Sequence, residues 1–213
     1  MAATSSKTRG GSGAMPDRLT GPVVLFQTRA DIFLHLPRPT HFPMELLAGN
    51  VVMLPPHTPA HQCYNLNLGC ALLGWVRQQE LGLVLSAVSV QLAEKWVPTP
   101  DLIFLATRNL VRIQKRRIHG PVDLAVEILS STGHKRDRVT KLQAYAEYGI
   151  PWYWLVDLKR RVLTEMAILG KAYGKQVHCP FDQPFQPRMF PGLVLNLAEY
   201  ELKKDQNLNK PIK

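Results

Sequence analysis

Two acids stand where a chain does not place a carboxylate without a reason. Asp101 opens a short apolar run, 101–106, directly after Pro98-Thr99-Pro100. Glu127 interrupts the run Leu124-Ala125-Val126-Glu127-Ile128-Leu129. A carboxylate inside a core strand is costly unless it is paired, hydrogen-bonded or bound to a metal. Strand alternation puts Asp123, Ala125, Glu127 and Leu129 on one face. An ion pair and an open sheet face are the structural alternatives for Glu127. A third candidate is Lys141, four residues after Asp137 and four before Tyr145, so the three share one side of a helix. A helix that follows the Glu127 strand can lean its first turns over that strand's end and bring an ammonium to the carboxylates. The alternative is a solvated lysine paired with Asp137.

The cations are unevenly distributed around these acids. Arg108, Arg112, Lys115, Arg116 and Arg117 fall between Leu102 and Val122 with no acid among them, and Lys135, Arg136, Arg138 and Lys141 face only Asp137. The whole chain has 26 Lys and Arg against 16 Asp and Glu, a net charge of +10. Both basic segments flank the Asp101 and Glu127 strands, so a polyanion would be drawn toward the two acids. A merely solvated basic face is the other reading. His57 and His61 are four apart, but a third ligand at zinc spacing is missing from the sequence, and His119 and His134 are isolated. The patterns of P-loop, dinucleotide-binding and serine-hydrolase sites are absent.

The elements that must position these residues follow from periodicity and punctuation. Thr28-Arg29-Ala30-Asp31 has a hydroxyl and a following acid suited to start a short helix that stops at Pro37. Residues 45–54 read as a hairpin around Gly49-Asn50. Residues 61–80 form the strongest helix, with Leu66, Cys70, Leu73 and Val76 at three- and four-residue spacing. Val84, Ser86, Val88, Val90 and Leu92 alternate as one strand face. Strands at 101–106 and 122–130 precede a helix at about 136–148 that ends at Gly149. A hairpin at 152–157 and 161–168 turns around Leu158-Lys159-Arg160, and 190–193 begins a last short segment. Such mixing gives an α/β or α+β sheet with flanking helices.

The 213 residues suffice for one domain with its own core. Residues 1–22 are Ser/Thr/Gly-rich and read as a flexible leader, 23–200 as the domain, and 201–213 as a polar basic tail. The hydrophobic fraction of 46% excludes a wholly disordered chain. Cys63, Cys70 and Cys179 are odd in number and form no C-x-x-C pair, which fits reduced thiols, with Cys63 and Cys70 as small core residues on one helix face. No apolar run reaches the roughly 18–20 residues of a membrane helix. A cytoplasmic protein is expected.

Pro100-Asp101, Asp123 to Ser130, Asp137, Lys141, Tyr145, Gly149-Ile150 and Tyr153-Trp154-Leu155-Val156-Asp157 resemble the Uma2 family, described as restriction endonucleases of the PD-(D/E)XK superfamily. The likeness extends to Thr28–Phe33, Glu45-Leu46, Met53-Leu54-Pro55-Pro56, His61-Gln62 and Pro191-Gly192-Leu193, and spans roughly 23–200. It implies a restriction-endonuclease-like α/β core, a central mixed β-sheet flanked by helices, with an N-terminal hairpin extension. Asp101 matches the PD aspartate and Glu127 the second acid. The usual lysine position holds Leu129, so the resemblance assigns that charge to Lys141. Glu45 corresponds to an acid that some superfamily members supply from an early element. Leu47-Ala48-Gly49 replaces Ile-Asp-Gly, and Ser130-Ser131-Thr132 replaces Ser-Pro-Ser-Thr.

What the resemblance implies is a Mg²⁺- or Mn²⁺-dependent endonuclease acting on DNA. Asp101, Glu127 and the carbonyl of Ile128 would hold the ion, since hard cations prefer oxygen ligands. Lys141 would stabilise the transition state, with Asp137 and Tyr145 in support. The basic residues of the two flanking segments would bind the nucleic acid, and a homodimer stays open. The competing reading is a nuclease-like module that binds nucleic acid or protein without cutting.

Overall fold

The computed structural model describes residues 21–39, 42–129 and 135–203, without the side chains of 135–138. Most of the expected leader and tail, together with Ser130–His134, therefore lie outside the described residues. The elements in chain order are β1 (Val23–Gln27), α1 (Ala30–Phe33), β2 (Met44–Leu47), β3 (Asn50–Met53), α2 (Pro59–Gln78), β4 (Gly82–Ser86), β5 (Leu102–Ala106), β6 (Leu124–Leu129), α3 (Lys135–Glu147), β7 (Trp152–Asp157), β8 (Val162–Leu169), β9 (Ala172–Tyr173) and β10 (Val177–Pro180).

A seven-stranded mixed sheet runs β9-β8-β7-β6-β5-β4, with β10 also pairing with β8. The parallel pair is β6 and β7, joined by α3 as crossover, with Leu155 opposite Glu127. β5 lies antiparallel to β6 on its other side, with Leu102 opposite Val126. β6 is thus central, which explains its nearly continuous apolar sequence: both of its faces are covered. Leu124, Val126 and Ile128 point to the layer containing Tyr64, Leu68, Leu72 and Val76 of α2. Ala125 points to the opposite layer, with Tyr145 of α3 and Tyr153. Glu127 follows Ala125 on that second face by alternation.

β1, β3 and β2 make a separate three-stranded antiparallel sheet. Leu46 and Val97 exchange two backbone hydrogen bonds, of 3.1 and 2.8 Å, and so moor β2 to the segment leading into Asp101. Among the described residues no helix is long and apolar enough to cross a membrane.

Several expectations need correction. The buried stripe of α2 is His61, Tyr64, Leu68, Leu72 and Val76, whereas Leu66 is 67% exposed and Cys70 is exposed. The helix carries apolar residues on more than one side, and a close approach at Gly69 selects the stripe. An added Cβ there would lie 3.1 Å from Leu102. Helix α2 also starts earlier, at Pro59, where Thr58 Oγ1 accepts the His61 amide hydrogen. The N-cap of α1 is Arg29, with no side-chain cap bond, and Asp31 pairs with Arg29. The strand expected from 84 to 92 ends at Ser86, and Val90–Gln91 joins a small sheet with Arg117–His119 and Ile113–Gln114. The hairpin turn is Ala48-Gly49, with φ of 50° and 81°, and Asn50 already belongs to β3. Two successive positive φ values are what a tight hairpin turn requires.

Candidate active site

The side chain of Asp101 ends the β5–β6 ladder. Its Oδ2 accepts the backbone N–H of Ile128 at 2.7 Å, a bond between the neighbouring strands made by a carboxylate in place of a carbonyl. Its Oδ1 lies 3.2 Å from Nε2 of His61, in the first turn of α2. Asp101 is 8% exposed and His61 2%.

Glu127 and Glu45 meet across one ammonium. Lys141 Nζ donates to Glu45 Oε1 at 2.8 Å and to Glu127 Oε1 at 3.0 Å. Tyr145, one turn further along α3, donates its hydroxyl to the same Glu127 oxygen at 2.6 Å. Glu45 Oε1 also accepts the backbone N–H of Thr99 at 2.7 Å, which the β2 mooring makes possible. Glu45 Oε2 is buried without a hydrogen-bond partner. The spacing of Lys141 and Tyr145 on α3 and the position of α3 over the end of β6 thus bring both side chains to Glu127.

Formal charge in this cluster is unbalanced. Glu45, Asp101 and Glu127 supply three carboxylates, and Lys141 is the one ammonium bonded to them among the described residues. Burial first, and then Asp101 and Glu45, push the Glu127 carboxyl up to about 7 against the opposing pull of the Lys141 ammonium. Burial would lower the Lys141 ammonium, but Glu127 and Glu45 outweigh it and hold the group above its ordinary value, so it stays charged. The Tyr145 hydroxyl is pushed well up, by burial first and then by the carboxylates, and stays a donor.

The donor set suits a hard divalent cation. Carboxylate oxygens such as those of Asp101 and Glu127, and a carbonyl such as that of Ile128, are the oxygen type such an ion prefers, and a dication would offset the surplus negative charge. The unsatisfied Glu45 Oε2 is a further buried acceptor beside it.

Other acids are occupied elsewhere. Asp123 accepts from the Ala106 amide at 2.8 Å and from Asn109, and pairs with Arg108 at 3.2 Å, fixing the end of β5. Buried Glu165, which the sequence does not flag, takes Arg188 at 2.7 Å and the Trp154 indole N–H at 3.2 Å. Among the basic residues, Arg112 donates to the Pro121 carbonyl and Arg116 to the Leu34 carbonyl at 3.5 Å, while Lys115 is exposed and Arg117 half-buried. The side chains of Lys135, Arg136, Asp137 and Arg138 lie outside the described residues. His61 is the site neighbour that sequence spacing leaves without its partner. Its signal was position: a histidine heading the buried stripe 61, 64, 68, 72, 76.

A family model, Uma2, described as "Putative restriction endonuclease", matches residues 30–198. Five chains of solved structures match as well. One is the crystal structure of a "putative nuclease belonging to DUF820" from Anabaena variabilis ATCC 29413, with a TM-score of 0.70 and 16% identity, covering 82% of this chain and 99% of that one. At that identity the likeness shows the fold. No curated protein matches.

Proposed function

Because the chain belongs to the Uma2 family, we propose that it is a divalent-metal-dependent nuclease that hydrolyses phosphodiester bonds of DNA. The observation that carries this reading is Lys141, fixed between two buried glutamates beside Asp101. In this reading Asp101, Glu127 and the Ile128 carbonyl hold Mg²⁺ or Mn²⁺. Bound there, the ion supplies a more acidic water and positive charge for the phosphate oxygens.

The chain's own groups supply the rest. An ammonium has three N–H donors, and Glu45 and Glu127 take two. The third is left for a phosphate oxygen, where negative charge grows in the transition state. A lysine on a helix has a flexible stem, and the two glutamates remove that freedom, so Lys141 replaces a strand lysine at Leu129 without loss of placement. Tyr145 restrains Glu127 through the hydrogen bond from its hydroxyl. Arg108, Arg112, Lys115, Arg116 and Arg117, with Lys135, Arg136 and Arg138, supply the positive charge that a nucleic acid needs, in the two segments that flank β5 and β6 in sequence.

The test is cleavage of single- and double-stranded DNA and RNA by purified protein with Mg²⁺ or Mn²⁺. Chelator should stop it, and Asp101→Asn or Glu127→Gln should each lower the rate by roughly a hundredfold or more. Cleavage unchanged in both variants overturns the site, and no cleavage of any substrate favours a binding module.

A further inference from the structure

His61 has no place in the reading above, yet it is buried against the aspartate on which that reading depends. The other members of its stripe, Tyr64, Leu68, Leu72 and Val76, pack the core. An apolar residue would serve packing equally at position 61. The imidazole instead turns Nε2 to Asp101 and leaves Nδ1 buried without a hydrogen-bond partner. An unsatisfied buried polar atom costs about 1–3 kcal/mol, so packing alone argues against histidine here. His57 adds a third donor. Its ring stacks on His61 at 4.1 Å between centroids, and ligand atoms of His57, His61 and Asp101 all lie within 4.8 Å of one another.

We propose that His61 is a nitrogen ligand to the divalent ion held by Asp101, so that the site prefers a first-row transition ion such as Mn²⁺ over Mg²⁺. This deepens the metal-dependent reading and rests on it. The separation of 3.2 Å between His61 Nε2 and Asp101 Oδ1 matches two ligands on one ion at right angles or tetrahedrally, since bonds of about 2.1 Å give roughly 3.0–3.4 Å between ligand atoms. Imidazole nitrogen binds first-row transition ions, with affinity rising from Mn²⁺ onward, more strongly than it binds Mg²⁺. Asp101 keeps its place while ligating, because its other oxygen is held by the Ile128 amide. Two stacked rings cannot both aim a lone pair at one ion. His57 is therefore an auxiliary donor, exposed and able to turn toward the ion.

The experiment is pulsed electron paramagnetic resonance of the Mn²⁺-loaded full chain, alongside calorimetric titration with Mn²⁺ and with Mg²⁺. Wild type should show nitrogen couplings on Mn²⁺ and bind it at least roughly tenfold more tightly than Mg²⁺. His61→Gln can still donate to Asp101 but offers no imidazole. It should lose the couplings and at least roughly tenfold in Mn²⁺ affinity, with metal-free melting close to wild type. His57→Ala should keep the couplings. Bound Mn²⁺ with oxygen ligands only, or couplings that survive His61→Gln, overturns the histidine assignment and leaves the nuclease reading standing. Absence of any metal binding removes both, and the wild-type spectrum decides the matter even where a variant fails to fold.

Discussion

Replacing Lys141 with methionine keeps a long apolar stem and removes the ammonium between Glu45 and Glu127. Side-chain exposure is 11% for Lys141, 1% for Glu45 and 13% for Glu127. That burial places the cluster with ion pairs whose disruption costs about 3–5 kcal/mol, rather than with exposed pairs worth about 0–1 kcal/mol. The stranded carboxylates escape only by binding a proton, and this gives the loss a pH signature. In the parent, Glu127 has a folded value near 7 against an ordinary 4.5. A raised carboxyl contributes most to stability below its unfolded value, loses that contribution as pH rises through the folded value, and changes little above it. Without Lys141 the folded value climbs further, so the loss continues above pH 7, at about 1.4 kcal/mol per pH unit for each carboxyl kept protonated. Urea unfolding at about pH 7 and about pH 8.5, without divalent metal, separates the cases. The parent should fall by under about half a kcal/mol and Lys141→Met by about 2 kcal/mol. A variant that loses less than about 1 kcal/mol at pH 7 and follows the parent's pH dependence refutes the buried triad.

Three further outcomes follow from the same structure. Metal binding must expel the proton from Glu127, so affinity measured by calorimetry should rise by up to about tenfold per pH unit below about 7 and then level off; an affinity flat across that range contradicts the assignment of Glu127 as a ligand. Gly82→Ala should destabilise by several kcal/mol in urea, because its Cβ would fall 2.1 Å from the Leu105 carbonyl oxygen at a φ of +148°, and a fully stable variant would mean that β4 is not seated on β5 as described. DNA affinity should fall steeply with salt, and Lys115→Ser and Arg116→Ser should each flatten the log–log slope by about 0.9 for one lost phosphate contact; unchanged slopes assign these residues to solvation.

What was legible in the sequence was local. The acid inside an apolar strand, the acid opening a strand after proline and the lysine one turn before Tyr145 each announce themselves by type and spacing. Their elements, β5, β6 and α3, are set by strong periodicity and clear punctuation. What was not legible was long-range closure. Nothing around residue 45 shows that its carboxylate reaches Lys141, because that depends on the Leu46–Val97 pairing. Nothing around residue 61 shows that the third donor for a histidine pair comes from Asp101, forty residues on. The α2 stripe is ambiguous in sequence because several faces of that helix are apolar, and contact with β5 at Gly69 distinguishes them. The strand expected from 84 to 92 is longer than the one formed because alternation continues past Ser86, where the chain leaves the sheet.

The bond from the Ile128 amide to Asp101 has an evolutionary consequence. A side chain that completes the strand pairing is retained by selection for folding, whether or not the protein cuts anything. Its loss would leave a buried amide unpaired between two central strands, at a cost of about 1–3 kcal/mol. A descendant that abandoned hydrolysis would therefore still be pressed to keep an acceptor here, and asparagine would satisfy the amide as well as aspartate. Relatives carrying asparagine at this position would be the ones released from metal chemistry, whereas those carrying alanine would need a compensating change in the β5–β6 ladder. For the same reason Asp101→Ala confounds two losses in any assay, and Asp101→Asn separates the ion from the fold.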